Sequence, residues 1–197
     1  MKNFFFILLF SFFSIQLFAQ PKEGQWVIGT MFNSFNNNIN SFFESSTNFG
    51  YTQIDNDSKL FAINLAPNIS KMITDKWMLS GDLIISNLSG KDIKYTGVGL
   101  GGSTRYYLKL KKFSPYLTFG TGYQIHSIKF FDSRNSKSFV IKAGIGGSYF
   151  INENASIDAV LHYVRVNNNS SFIRDNSNNV SNIGFNFGFS IFFGGKK

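Results

Sequence analysis

Ser181-Asn-Ile-Gly-Phe-Asn-Phe-Gly-Phe-Ser-Ile-Phe-Phe193 alternates from end to end. Ile183, Phe185, Phe187, Phe189, Ile191 and Phe193 fall on one face, and Asn182, Gly184, Asn186, Gly188 and Ser190 on the other. Successive side chains of a strand point to opposite faces, so a period of two is a strand signature and excludes a helix. One face is bulky and apolar; the other is small and polar. A strand of a soluble sandwich can share this pattern if its apolar face meets a partner sheet. Here strand after strand repeats it and leaves no polar surface for water, so the apolar faces are expected to meet lipid.

Seven further stretches alternate in the same way. They run at about Gln25–Phe35, Ser58–Ser70, Trp77–Ser86, Tyr95–Leu110, Tyr116–Phe130, Ser138–Phe150 and Ala155–Val166. Outward sets include Trp26, Ile28 and Phe32; Leu79, Leu83 and Ile85; and Ile157, Leu161 and Tyr163. The facing sets are rich in Gly, Ser and Asn. Strands of this length, tilted, cross the apolar layer of a bilayer. Pro67 cannot donate to a ladder and is expected near a strand end or a bulge. Aromatics gather toward strand ends (Trp26, Trp77, Tyr106, Tyr116, Tyr149, Phe150), as interface girdles do. The fold class is therefore all-β, an eight-stranded antiparallel up-and-down transmembrane β-barrel, monomeric. Asn36–Asp57 and Asn167–Asn179 are polar and aperiodic and read as long loops. Lys71–Lys76, Lys109–Ser114 and Asn152–Asn154 read as tight turns. In a bacterial barrel the short turns and, for an even strand count, both termini are periplasmic.

The compartment follows from the N-terminus. Lys2, the apolar run Phe4–Phe13 and Leu17-Phe18-Ala19 form a signal peptide, with cleavage after Ala19 and Gln20 as the new terminus. Ser11, Ser14 and Gln16 interrupt the run and leave it short for an anchor helix. Residues 1–19 are thus a Sec export signal and 20–197 the barrel. There is no cysteine, hence no disulfide framework, no thiolate metal site and no lipid-acylated cysteine. Phe alone contributes 25 residues, yet mean hydropathy is −0.04, as expected where apolar residues are spread over alternating strands rather than spanning helices. The formal charge of +8 drops by the one charge of Lys2 on cleavage. Its carriers are scattered over turns and loops rather than arrayed as a stripe, which excludes nucleic acid as the partner.

Three stretches resemble the small outer-membrane β-barrel domain family, relatives of the OmpA-type and OmpX-type barrels, and look most like the versions common in Bacteroidetes. They are Ile63-Asn-Leu-Ala-Pro-Asn-Ile-Ser-Lys-Met-Ile-Thr-Asp-Lys-Trp-Met-Leu-Ser-Gly81, Gly97-Val-Gly-Leu-Gly-Gly-Ser-Thr-Arg-Tyr-Tyr-Leu108 and Gly144-Ile-Gly-Gly-Ser-Tyr-Phe-Ile-Asn-Glu-Asn-Ala155. The resemblance covers essentially the whole chain after residue 19. It implies outer-membrane lipid, lipopolysaccharide and the barrel assembly machinery as partners, and it is nearly silent about activity. The family's C-terminal insertion signal is similar to Asn186, Gly188, Ile191 and Phe193. Gly194-Gly-Lys-Lys197 follows that aromatic, where many members stop.

Chemistry on the inward faces is confined to Asp82, Arg105, Lys142, Asp158, His126 and His162. An eight-stranded interior is just wide enough for side chains, and charges buried there must pair. Asp82 and Arg105 are on adjacent strands, are expected at similar depth, and are the expected pair; Lys142 and Asp158 join the network. The expected role is a plug that fills the lumen; a narrow channel gated by these charges is the alternative. A lipid-modifying enzyme is a third reading, because some small barrels use His and Ser at the membrane face. His126-Ser127 cannot serve directly, since neighbours on a strand point to opposite faces, though a partner Ser on another strand is open to it. No catalytic, cofactor or metal residues are therefore assigned. Asp55-Asn56-Asp57 offers oxygens to Ca²⁺ but lacks the rest of a loop motif. Lys109, Lys111 and Lys112 flank a turn, where they meet lipid phosphates or solvate it.

Overall fold

The computed structural model describes residues 20–33, 47–55, 58–90, 94–129, 133–169 and 179–195. The expected signal segment, much of both long loops and the side chains of the Asp55-Asn56-Asp57 triplet lie outside the described residues. Ten strands form: β1 Trp26–Asn33, β2 Asn48–Asp55, β3 Ser58–Leu65, β4 Pro67–Thr74, β5 Trp77–Ser89, β6 Lys94–Tyr107, β7 Phe113–Lys129, β8 Ser133–Asn152, β9 Ala155–Asn169 and β10 Asn179–Phe193. Neighbours pair antiparallel in the order β4-β1-β10-β9-β8-β7-β6-β5, and β5 pairs with β4 to close the ring. This is a closed eight-stranded barrel. The β4–β5, β6–β7 and β8–β9 connections and both described chain ends share one end of it, the turn end; the β5–β6, β7–β8 and β9–β10 connections share the other, the loop end.

The strand count exceeds eight for two local reasons. β3 and β4 are halves of one stave, broken at Ala66. Pro67 opens β4, a position where its missing donor costs no ladder bond. β2 lies inside the stretch expected to be loop; it pairs with β3 from Asn48↔Asn64 to Asp55↔Ser58. β1 keeps its pairing to β4 only as far as Thr30↔Pro67, and beyond that level β2 becomes the neighbour of the stave. Thr47 holds the branch point. Its Oγ1 lies 2.7 Å from Thr30 Oγ1 and accepts from Ala66 N at 3.0 Å, while its own N donates to Met31 O at 2.6 Å. β2 was illegible because Asn48–Asp55 places no apolar row on either face.

Side-chain donors and acceptors shape the turns. Thr74 Oγ1 accepts from Lys76 N and Trp77 N. Asn152 Oδ1 accepts from Asn154 N at 2.8 Å, an Asx turn. Ser114 Oγ accepts from Lys111 N and donates to Lys111 O.

The outward face is apolar over most of its height. Leu100 is 70% exposed and Ile183 69%, and the same face carries Phe119, Ile145, Phe187 and Phe189. Each such side chain left in water forgoes about 1.5–3 kcal/mol, so about five of them match the whole net stability of a typical fold. Trp26, Trp77, Tyr106 and Tyr149 form the outward aromatic band at the turn end. Tyr116 and Phe150, expected in that band, are instead buried inside the barrel. Strand parity explains the correction: Tyr116 shares its face with Thr118 and Gly120, and Phe150 with Ser148.

Candidate functional site

Among the described residues, buried polar side chains converge in the lumen, and the lumen is layered. At the turn end Val27, Met72, Met78, Tyr107, Tyr116, Phe150 and Phe192 make a buried apolar floor. The rings of Phe150 and Phe192 lie 5.5 Å apart, and Tyr107 meets Tyr116 edge-on at 5.8 Å. Strand parity places Val27 and Tyr107 on inward faces, but an apolar layer there was not expected, since those faces had been read as mainly small and polar.

Above the floor Arg105 Nη1 donates to Asp158 Oδ1 at 3.3 Å and to the Tyr107 hydroxyl at 3.2 Å. Its guanidinium lies 4.2 Å from the centre of the Tyr116 ring, a cation–π contact. Asp158 is fully buried. It also accepts from Ser148 Oγ, from Ser156 Oγ at 3.4 Å and from Ser190 Oγ at 2.6 Å. A carboxylate out of reach of water needs this saturation of its lone pairs.

The next layer holds the second ion pair, Lys142 Nζ to Asp82 Oδ2 at 3.0 Å. The expected Asp82–Arg105 pair does not form, because the two are not at one depth. Asp82 stands opposite Gly101 and Arg105 opposite Met78. That offset of four residues is about 13 Å along a strand. Both pairs are instead chords across the lumen, β6 to β9 and β8 to β5. Glycines clear the path of the lysine. A Cβ at Gly120 would lie 2.6 Å from Lys142 Cε, and one at Gly101 would lie 3.2 Å from Asp82 Oδ2.

Between the chords sits a cavity of about 70 Å³ bordered by Asp82, Lys142, Arg105, His162, Asn68 and Asn186. It has room for about two waters. Asn186 Oδ1 is buried beside it without a protein hydrogen-bond partner. Toward the loop end, Val140, Val164 and Val166 form a second apolar cluster. Above it His126 Nε2 lies 2.7 Å from Ser138 Oγ, and the Tyr95 ring stacks on the imidazole at 5.5 Å. Ser86 Oγ donates to Asn64 Oδ1 at 2.6 Å nearby.

Ser138 is the partner serine that sequence left open. Register explains the reach: His126 stands opposite Ser136 and Gln124 opposite Ser138, so the bond is a diagonal across β7 and β8. His162 lies two layers lower and takes no part. Among the described residues no three His, Asp or Glu side chains are grouped closely enough to hold a metal. Of the residues resembling an insertion signal, Asn186 and Gly188 face the lumen, whereas Ile191 and Phe193 are exposed on the outer wall.

No family model matches the chain, and no curated protein matches it. Among solved structures it is similar to Neisserial surface protein A, with a TM-score of 0.55, 15% identity and coverage of 87% of this chain and 98% of that one. It is also similar to the outer membrane protein OprG of Pseudomonas aeruginosa (TM-score 0.49, 15% identity, 89% and 99% covered). A third is the N-terminal β-barrel domain of OprF from the same organism (TM-score 0.49, 14% identity, 87% and 98% covered). At such identities a likeness speaks for the fold alone, and the Neisserial protein carries it: this chain is built on the same antiparallel β-barrel.

Proposed function

We propose that this chain is a bacterial outer-membrane β-barrel with a structural or surface-interaction role and a lumen plugged by its own side chains. In this reading residues 1–19 direct Sec export and are removed after Ala19. The barrel assembly machinery inserts the rest as a monomer, through Asn186, Gly188, Ile191 and Phe193. The turn end is periplasmic, and the loop end meets lipopolysaccharide and the exterior. The observation that carries the plug is the pairing of an apolar floor with two ion-pair chords, with a small cavity of about 70 Å³ between them. Titratable groups used as chords hold staves together across the ring and are spent on that task. Planar-bilayer recording tests it. The expected trace is silent for the wild type and acquires conductance when Tyr116→Ala and Phe150→Ala are combined to open the floor.

One observation favours a gated channel as the second reading: the cavity lies against Lys142, whose side chain remains 21% exposed beside its partner. Steady wild-type conductance that shifts on Asp82→Asn would move the assignment there. We infer no catalytic role for His126 and Ser138, which are 2% and 1% exposed. A change in lipid A mass on overexpression that His126→Ala abolishes would contradict that inference.

A further inference from the structure

The net positive charge of the chain is unevenly placed. Inside the lumen the described ions cancel, Asp82 against Lys142 and Asp158 against Arg105. At the turn end stand Lys22, Lys71, Lys76, Lys109, Lys111 and Lys112, all exposed. Only Glu23, Asp75 and Glu153 oppose them there. Two of those acids are already engaged: Asp75 Oδ1 accepts Glu23 N at 2.7 Å, and Glu153 lies 4.0 Å from Lys22 Nζ.

Half of the six lysines fall in the single connection between β6 and β7, Leu108-Lys-Leu-Lys-Lys-Phe113. Its apolar flanks face outward. Leu108 is 51% and Phe113 60% exposed, and the Phe113 ring occupies the space that a Cβ at Gly147 would need, 2.5 Å from it. Lys112 Nζ rests over the outward Tyr149 ring at 5.4 Å. Among the described residues no carboxylate pairs with Lys109 or Lys111. Lys112 thus lies against an apolar shelf, with Lys109 and Lys111 exposed beside it in the same short connection, a grouping suited to side chains that reach from hydrocarbon to head groups. Lys71 Nζ over the Trp26 ring at 5.1 Å repeats the device on the opposite side of the ring.

We propose that the β6–β7 connection is a binding site for the phosphate of an anionic phospholipid. Leu108 and Phe113 sit among its acyl chains, and Lys109, Lys111 and Lys112 contact the phosphate. The inference rests on the membrane reading above and deepens it by naming the lipid class held at the turn end.

The test uses the full chain folded into phosphatidylcholine vesicles containing a minority of phosphatidylglycerol. Spin-labelled lipids of each kind report which is held at the protein surface. The wild type is expected to hold phosphatidylglycerol about fivefold over phosphatidylcholine, a preference that falls with added salt. The variant Lys109→Gln/Lys111→Gln/Lys112→Gln is expected to lose most of that preference. Lys94→Gln/Lys137→Gln, at the loop end, is expected to keep it. Absence of a preference in the wild type, its survival in the triple variant, or its equal loss in both variants would each overturn the site. Unheated gel migration of the same samples separates the failures. Loss of preference in a compact band overturns the lipid site alone, whereas absence of a compact band overturns the membrane reading with it.

Discussion

At the scale of single residues, the two ion pairs differ in how closely they are enclosed. Asp158 is fully buried and accepts four hydrogen bonds, whereas the Lys142 side chain is 21% exposed beside Asp82. Removing one partner of a buried pair strands the other charge, at a cost of about 3–5 kcal/mol. Arg105→Met is therefore expected to destabilise the barrel by that amount. Lys142→Met, with water available to Asp82, is expected to cost about 1–3 kcal/mol. Urea unfolding from phospholipid vesicles, followed by Trp26 and Trp77 fluorescence, ranks the two, and equal costs would contradict the difference in enclosure. Strand parity put Asp82, Arg105, Lys142 and Asp158 on inward faces, where the structure pairs them two by two. It could not reach the partners, because a chord across a ring depends on the depth offset between strands that are not neighbours. Tyr116 and Phe150 show the converse: parity placed them inward, while their position near strand ends pointed to the girdle.

Among elements, two carry predictions. Lys142 reaches Asp82 by passing over Gly120, where a Cβ would lie 2.6 Å from Lys142 Cε and 2.8 Å from Ser103 Cβ. Gly120→Val is expected to break the Lys142–Asp82 chord and to cost about 1–3 kcal/mol by overpacking. Because the chord is then already lost, adding Lys142→Met to Gly120→Val should change stability little; full additivity would show that the chord survives. The second element is β2. Its ladder with β3 hangs from the Thr47 branch, so its amides are expected to resist hydrogen exchange, and Thr47→Val is expected to remove that protection while leaving β7 and β8 unchanged. Exchange of residues 48–55 at free-peptide rates in the wild type would restore the loop reading of the sequence. That reading failed because the apolar residues of 48–55, Phe49, Tyr51 and Ile54, are too few to set a period. The eight staves, by contrast, were legible because each carries several bulky apolar residues at a spacing of two.

For the whole molecule, the decisive feature is that the polar and apolar faces are inverted relative to a soluble domain. Leu100, Ile183, Phe187 and Ile191 look outward, while Asp158, Ser190, Gln124 and His126 are enclosed. Parity made this legible, since the bulky face of every stave had nowhere else to go. The apolar floor was not legible, because a few inward aromatics at strand ends are outnumbered by small polar neighbours. Gel migration of the membrane fraction in SDS, unheated against boiled, tests the inversion most directly. The account predicts a compact, fast-migrating band that slows on boiling, as a closed ladder with an apolar exterior resists the detergent. A single band at one position under both conditions, with the protein recovered in the soluble fraction, would mean that the apolar faces meet one another, and the barrel in lipid would be wrong.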